Sequence, residues 1–272
     1  MPSRKQAASK ASPLYLLSIL QNATKSWNIV KIAFGKNNLN HKIINNENNT
    51  ISKQDTDILK IFYPKGSYSP SKEIVGGIGF FASPQDIFMA EEVVFKYDVL
   101  FDKTFNPNRG GKLPGLFIGN GLKPSNMKGA AGGKHSNTAS CRIAWRKNFD
   151  AEAYIYLPIK QQHLEYYNIS GLVQNPIYGD SLWRGIFKFD PVNWNTISIR
   201  LKLNKININD GELEISINNI TQKFDKLIWR TDNNYKINAI IFETFFGGST
   251  IETSTPNDTW SYFKNVKIQR LN

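Results

Sequence analysis

Short segments in which apolar and polar residues alternate dominate the chain from residue 58 onward. Within residues 91–101 every second residue from Val93 to Val99 is apolar, and residues 196–204 and 212–218 alternate in the same way. A period of two is typical of a strand that buries one of its faces. The pattern therefore predicts β-strands in these segments.

Further strands are predicted before and after them. Residues 58–64 and 261–269 also alternate, and residues 238–248 are apolar enough for a central strand. The Asn-Asp-Gly sequence at residues 209–211 indicates a hairpin turn. Long helical periodicity is absent, so the sequence predicts an all-β fold, a β-sandwich or jelly roll.

The 272 residues are enough for one large domain with a core. We expect residues 26–272 to form that domain and residues 1–25 to be a basic N-terminal extension. Its apolar run, residues 14–20, is short for a signal peptide and lacks a clear cleavage site, so we favour no cleaved signal. Since no apolar run reaches the roughly 18 residues that span a bilayer, we expect no stable membrane insertion.

The net charge of the chain limits the classes of partner to be considered. A net charge of +12 favours polyanions such as nucleic acid, anionic lipid or acidic polysaccharide. The sequence has no helix-turn-helix, RNP-like or zinc pattern, which argues against nucleic acid. Cys141 is the single cysteine, so no disulfide forms within the chain. The histidines, His41, His135 and His163, are scattered, and we expect no metal site.

A polar cluster is predicted on the hairpin of residues 139–158. Its two strands must bury their apolar residues together, which fixes the register. One face then holds four polar side chains: Ser140, Arg142, Tyr154 and Tyr156. A three- or five-residue loop around residues 147–151 predicts that paired residue numbers sum to 298, with Arg142 opposite Tyr156.

The composition of this cluster suits a uronic acid. Arginine binds a carboxylate through charge-assisted, often bidentate, hydrogen bonds. Tyrosine can act as proton donor or acceptor if neighbouring cations lower its pKa. An exposed sheet face without any function would show the same residues, so the pattern alone leaves both interpretations open.

Several sequence blocks follow one another in a specific order. They are DTDILKIFYPKGSYSPS, VGGIGFFASP, EEVVFKYDVLF, GGKLPGL, SCRIAWRKNFDAEAYIYLP, FFGGS and TPNDTWSYFKNVKI, within roughly residues 50–270. In this order they resemble polysaccharide lyase family 14, the alginate and glucuronan lyases of fungi, marine molluscs and algal viruses. Any one of these blocks alone would be weak evidence for the family.

The resemblance implies a jelly roll with a concave groove that cleaves 1,4-linked polyuronates by β-elimination. It implies that Lys112, in the GGKLPG block, is the essential lysine. Ser140 and Arg142 match the family's Ser-x-Arg, and Tyr154 and Tyr156 match its Tyr-x-Tyr. We expect Arg142 to bind the substrate carboxylate, either tyrosine to carry a proton, and Lys112 to be the base or a charge neutraliser.

The same resemblance sets the other expectations. The partner is an acidic polysaccharide, without metal or cofactor. The protein is expected to be a monomer that works outside the cell, is released at host lysis or is carried on a virion. A non-catalytic binding module for acidic polysaccharide is the alternative, although a pure binder need not keep a lysine and two tyrosines together.

Four further residues are candidates for substrate binding. Lys134 and His135 lie in a Gly-rich, basic stretch, residues 120–137, that is longer than usual for the family and is a candidate lid. Trp260 and Tyr262 lie in the block that resembles the family's C-terminal strand. Tryptophan and tyrosine can stack on sugar rings, but in a sandwich they more often pack the core or its rim.

Overall fold

The computed structural model describes residues 27–41, 58–128, 138–157, 162–175 and 177–271. The predicted N-terminal extension lies outside the described residues, as do Lys134 and His135. Within the described ranges, no helix has the length and apolar character needed to cross a membrane.

Two antiparallel sheets of seven strands each form a β-sandwich, which confirms the predicted all-β, jelly-roll fold. The first sheet consists, in spatial order, of β1 (Ile29–Phe34), β4 (Ile78–Ala82), β13 (Lys236–Phe246), β6 (Gly111–Gly119), β7 (Thr138–Trp145), β8 (Asp150–Tyr156) and β9 (Asp180–Lys188). The second consists of β12 (Ile220–Leu227), β11 (Gly211–Ile217), β10 (Asn195–Lys202), β5 (Glu92–Phe101), β14 (Thr259–Arg270), β3 (Leu59–Tyr63) and β2 (Leu39–His41).

The described helices are short 3-10 turns in the connections: Lys36–Asn38, Gln85–Ile87, Lys147–Phe149, Leu164–Asn168 and Ile251–Thr253. The strands predicted from alternation all form, and β13 lies inside its sheet between β4 and β6 as its apolar sequence predicted. Strand β4 was not predicted. Its five residues are all buried, because both faces of the sheet are covered there, and such a strand shows no alternation.

Aromatic side chains fill the core at one end of the sandwich. The ring of Trp145 packs edge-on against those of Tyr63, Phe105 and Phe246, with centroids 6.4, 5.4 and 5.3 Å away. The indole nitrogen donates a hydrogen bond to the backbone oxygen of Pro107 at 3.2 Å. The first residue of β6 and the last residues of β7 and β13 meet at this end, so they lie beside a tightly packed part of the core.

Strand β6 carries a bulge at Pro114. Its pairing with β7 shifts by one residue between Leu113 and Gly115, at the residue that has no N–H to donate to the ladder. The Pro114 oxygen instead accepts a hydrogen bond from the Tyr97 hydroxyl of the second sheet at 3.0 Å. The bulge changes the parity of the strand, so Leu113 and Leu116 both enter the core. This broken alternation is why the sequence pattern did not reveal β6.

The hairpin of β7 and β8 differs from prediction in register. Arg142 pairs with Tyr154, and paired residue numbers sum to 296, so the predicted pairing of Arg142 with Tyr156 is wrong. The loop has three residues, as expected, but it is Lys147–Phe149, with Asn148 and Phe149 in the left-handed region. A sum that changes by two keeps each residue on its face, and the predicted polar cluster does share one face.

We expect Gly115→Ala to destabilise the fold. A Cβ at this position would lie 1.9 Å from the Cys141 backbone oxygen, which forces β6 away from β7. Overpacking of this kind costs about 1–3 kcal/mol, to be measured by urea unfolding. Gly247→Ala is the control, because its Cβ would meet no atom closer than 3.6 Å. Equal stability of the two variants would contradict the close approach.

Candidate functional site

A cavity of about 850 Å³ opens on the outer face of the first sheet. Six basic residues line it: Lys72, Arg109, Lys112, Arg142, Arg146 and Arg184. Among the described residues in its wall, Glu243 is the one acidic side chain. Tyr154 and Tyr156 line it as well. The cavity is therefore strongly cationic and suits an anionic ligand.

Lys112 and the two tyrosines meet in this cavity. The register of β6 and β7 places Lys112 beside Ala144, and its ammonium lies 3.8 Å from the centroid of the Tyr154 ring. That ring packs edge-on against the Tyr156 ring at 5.5 Å. The predicted catalytic residues are thus brought together, including Lys112, which the hairpin register alone could not place.

Lys112 is held in a setting that disfavours its charge. Burial, followed by the positive charges of Arg146 and Arg142, lowers the pKa of its ammonium well below the usual lysine value, and Glu152 only partly opposes this. None of the described carboxylates forms an ion pair with it. A neutral lysine amine is a competent proton acceptor.

The surroundings of Tyr154 favour the protonated form of its phenol. Burial raises the pKa of its phenol, and the neighbouring Tyr156 raises it further, against the charge of Arg142. Its oxygen accepts a hydrogen bond from the Gly179 backbone N–H at 3.2 Å. Its hydroxyl therefore keeps its proton and can act as a donor.

Arg142 forms a buried ion pair with Glu243 of β13. Its Nη1 lies 2.5 Å from the Glu243 Oε2, and the two side chains are 4% and 6% exposed. Burial raises the pKa of Glu243 even though Arg142 works to lower it. The Nε of Arg142 has no hydrogen-bond partner among the described residues. Glu243 thus orients the guanidinium of Arg142, which also lines the cavity.

Glu152 organises the other side of the cavity. It is fully buried, and its carboxylate accepts hydrogen bonds from the Ser181 hydroxyl at 2.7 Å, from Arg146 and from Arg184. Burial works to raise the pKa of Glu152, but the hydrogen bonds and charges of the two arginines outweigh it and hold the pKa below its usual value. This carboxylate is ionised at neutral pH.

Glu243 and the Glu152 network were not among the residues proposed from sequence. A signal existed for each. Glu243 is the lone carboxylate in the mostly apolar stretch of residues 238–248. Glu152 alternates in phase with Tyr154 and Tyr156 on β8.

Three further predicted residues, Ser140, Trp260 and Tyr262, are described and lie outside the cavity wall. Ser140 is on the same strand face as Arg142, fully buried, and its hydroxyl has no hydrogen-bond partner within the described residues. Trp260 and Tyr262 belong to β14 in the second sheet. There Trp260 packs on Phe62 at 5.2 Å, and Tyr262 donates a hydrogen bond to Asp102 at 2.9 Å. The structure thus corrects the expectation that these two aromatic residues lie in the groove.

Comparison with known proteins gives a consistent result. A family model described as Polysaccharide lyase 14 matches residues 51–266. A curated relative, Exolysin of Paramecium bursaria Chlorella virus 1, is 27% identical over 198 residues. The match covers 67% of this chain, which spans only about 30% of the viral protein.

Two solved structures are similar over most of their length. The marine PL-14 alginate lyase from Aplysia kurodai is 32% identical, with a TM-score of 0.75 over 87% of this chain and 88% of that chain. The alginate lyase vAL-1 from Chlorella virus is 25% identical, with a TM-score of 0.74 over 93% and 97% of the two chains.

Breaking the buried ion pair should destabilise the protein strongly. Glu243→Leu leaves the Arg142 guanidinium buried without its partner, which typically costs about 3–5 kcal/mol of unfolding free energy. The double variant Arg142→Met, Glu243→Leu should recover most of this loss, because it removes both charges. Urea unfolding of the wild type, both single variants and the double variant measures the coupling. A double variant as unstable as the sum of the singles would rule out a direct pair.

Proposed function

The chain belongs to the polysaccharide lyase 14 family, and from this membership and the cavity we propose that it cleaves a 1,4-linked polyuronate by β-elimination. The single observation that carries the proposal is the contact between Lys112 and Tyr154. A lysine of lowered pKa lies 3.8 Å from the ring of a tyrosine of raised pKa. Groups whose environments set them as base and acid mark a proton-transfer site.

The substrate carboxylate comes first in the reaction. Arg142, oriented by Glu243, would hold the C6 carboxylate of the reacting uronate and offset its charge, which makes the C5 proton more acidic. The arginine is suited to this because its planar guanidinium matches a carboxylate. The surrounding cations of the cavity favour the same anionic substrate.

Lys112 and the tyrosine pair then carry out the proton transfers that accompany bond cleavage. The amine of Lys112 takes the C5 proton, and the electron pair of that C–H bond forms the C4–C5 double bond as the C4–O4 bond breaks. The tyrosine pair supplies the proton that O4 needs, since Tyr154 remains protonated beside Tyr156. The products are an unsaturated uronate at one new chain end and, on the other fragment, a reducing end whose C1 keeps the departing oxygen as a hydroxyl.

A binding module for acidic polysaccharide would need the cations of this cavity but no proton donor or acceptor. The pairing of a lysine whose pKa is lowered with a tyrosine whose pKa is raised supports catalysis over binding alone. Alginate and glucuronan are the substrates to try first, because the resemblance includes enzymes for both.

Loss of single groups from the cluster should abolish turnover while leaving the fold intact. We expect Lys112→Ala, Tyr154→Phe and Tyr156→Phe to lower kcat by about 10²–10⁴-fold, the range typical of a lost proton-transfer group. The assay is the ultraviolet absorbance of the unsaturated product on alginate and on glucuronan. Lys188→Ala, an exposed residue elsewhere on the first sheet, is the control. Near-normal rates in Lys112→Ala would refute the assignment, and absence of product from the wild type on every polyuronate would refute the function.

The rate should depend on pH through Lys112. Its folded-state pKa is lowered, so the base becomes available as pH rises through a value below that of an ordinary lysine. We expect kcat/KM to rise with pH along this limb and then level off. A plateau that begins only near the usual lysine pKa of about 10.4 would contradict a neutral Lys112. The profile is measured on the wild type, with far-ultraviolet circular dichroism at each pH as a control for unfolding.

A further inference from the structure

Strand β9 contains a large bulge opposite Glu152. Ala151 pairs with Phe187 but Ala153 pairs with Leu182, so residues 183–186 all lie opposite one residue of β8. The backbone there adopts positive φ angles of 60° at residue 183 and 83° at residue 185. A bulge of this kind redirects side chains that a regular strand would place elsewhere.

The bulge is fixed to the neighbouring loop. The backbone N–H of Arg184 donates a hydrogen bond to the Gly171 oxygen at 3.0 Å. Trp183, a bulky residue with a positive φ, is 3% exposed and packs in the core. A strained position of this kind persists only where surrounding contacts impose it, and such positions cluster at functional sites. Arg184 is the side chain that the bulge delivers to the cavity.

Glu152 aligns Arg184 with Arg146. The Nε of Arg184 lies 2.6 Å from the Glu152 Oε2, and the Nε of Arg146 lies 2.8 Å from Oε1. The carboxylate is fully buried, whereas the side chains of Arg146 and Arg184 are 26% and 38% exposed. The shared carboxylate therefore lies beneath two guanidinium groups that both border the open cavity.

The charges of the two arginine sites differ. Arg142 is matched one to one by Glu243, but Arg146 and Arg184 share the single carboxylate of Glu152. The second group keeps one uncompensated positive charge. The guanidinium of Arg142 lies 5.8 Å from the centroid of the Tyr156 ring, whereas that of Arg146 lies 5.8 Å from the centroid of the Tyr154 ring. The two arginine sites therefore border different rings of the tyrosine pair.

We propose that Arg146 and Arg184, aligned by Glu152, form a second carboxylate subsite that binds a uronate neighbouring the one that is cleaved. Arg146 and Arg184 contact the substrate, and Glu152 is a positioning residue. This inference rests on the proposed function and adds that the carboxylate of the neighbouring uronate is itself bound.

The Arg184→Ala variant tests the subsite by the split between KM and kcat. Hydrogen bonds between charged groups support an expected rise in KM of about 10- to 100-fold on an acidic polysaccharide. We expect kcat to change by less than about threefold, since the base and the acid remain in place. Arg184→Lys should restore only part of the affinity, because an ammonium lacks the planar fork. Arg200→Ala, which removes a guanidinium that binds two carboxylates on the second sheet, is the matched control.

Substrate chemistry separates a binding role from a structural one. A polyuronate with part of its carboxylates reduced to alcohols should have a raised KM with the wild type, but Arg184→Ala should respond much less to the same reduction. Glu152→Gln should raise KM as Arg184→Ala does. A KM of Arg184→Ala equal to that of the wild type, or a loss confined to kcat, would overturn the subsite.

The failure of the subsite and the failure of the proposed function give different results. If the wild type releases unsaturated product and Arg184→Ala behaves like Arg200→Ala, the lyase activity stands and the subsite falls. If the wild type releases none from any polyuronate, the function itself falls, and the subsite with it. Equal sensitivity of the wild type and Arg184→Ala to carboxylate reduction also counts against the subsite.

Discussion

The site depends on charge compensation beneath the cavity. Several cationic side chains lie close together on one face of the first sheet. A buried charge without a partner is strongly unfavourable. Glu243 and Glu152 lie under that face and hold Arg142, Arg146 and Arg184. Of Lys112, Arg142, Arg146 and Arg184, Lys112 alone lacks an ion-pair partner within the described residues.

Irregular backbone then decides which side chains reach this face. Lys112 and Phe117 are five residues apart, yet the Pro114 bulge lets both point away from the core. The bulge of β9 does the same for Arg184. Regular strands would alternate strictly and send one member of each such set into the core. The site is thus assembled where the sheet departs from regularity, while the aromatic packing behind it stays dense.

Whether the sequence could predict a feature depends on how far apart along the chain the interacting residues lie. Strand alternation and the shared face of Arg142, Tyr154 and Tyr156 are local, and a register error of two residues leaves them intact. Arg142 and Glu243 are 101 residues apart, so no local pattern joins them. Strand β14 pairs with β3 and β5, which lie more than 150 residues earlier in the chain. No local pattern therefore shows that Trp260 and Tyr262 belong to the second sheet and not to the groove. The β9 bulge gave only Gly185 as a hint.

One physical cause prepares both halves of the proton transfer. Burial penalises charge of either sign, so it lowers the pKa of Lys112 and raises that of Tyr154. Both shifts favour the neutral form of the group, an amine at Lys112 and a phenol at Tyr154. Guanidinium groups held by Glu243 and Glu152 supply the positive charge that an anionic substrate needs. The roles are therefore divided: the arginines bind the substrate carboxylates, and the lysine and the tyrosines exchange protons with the substrate.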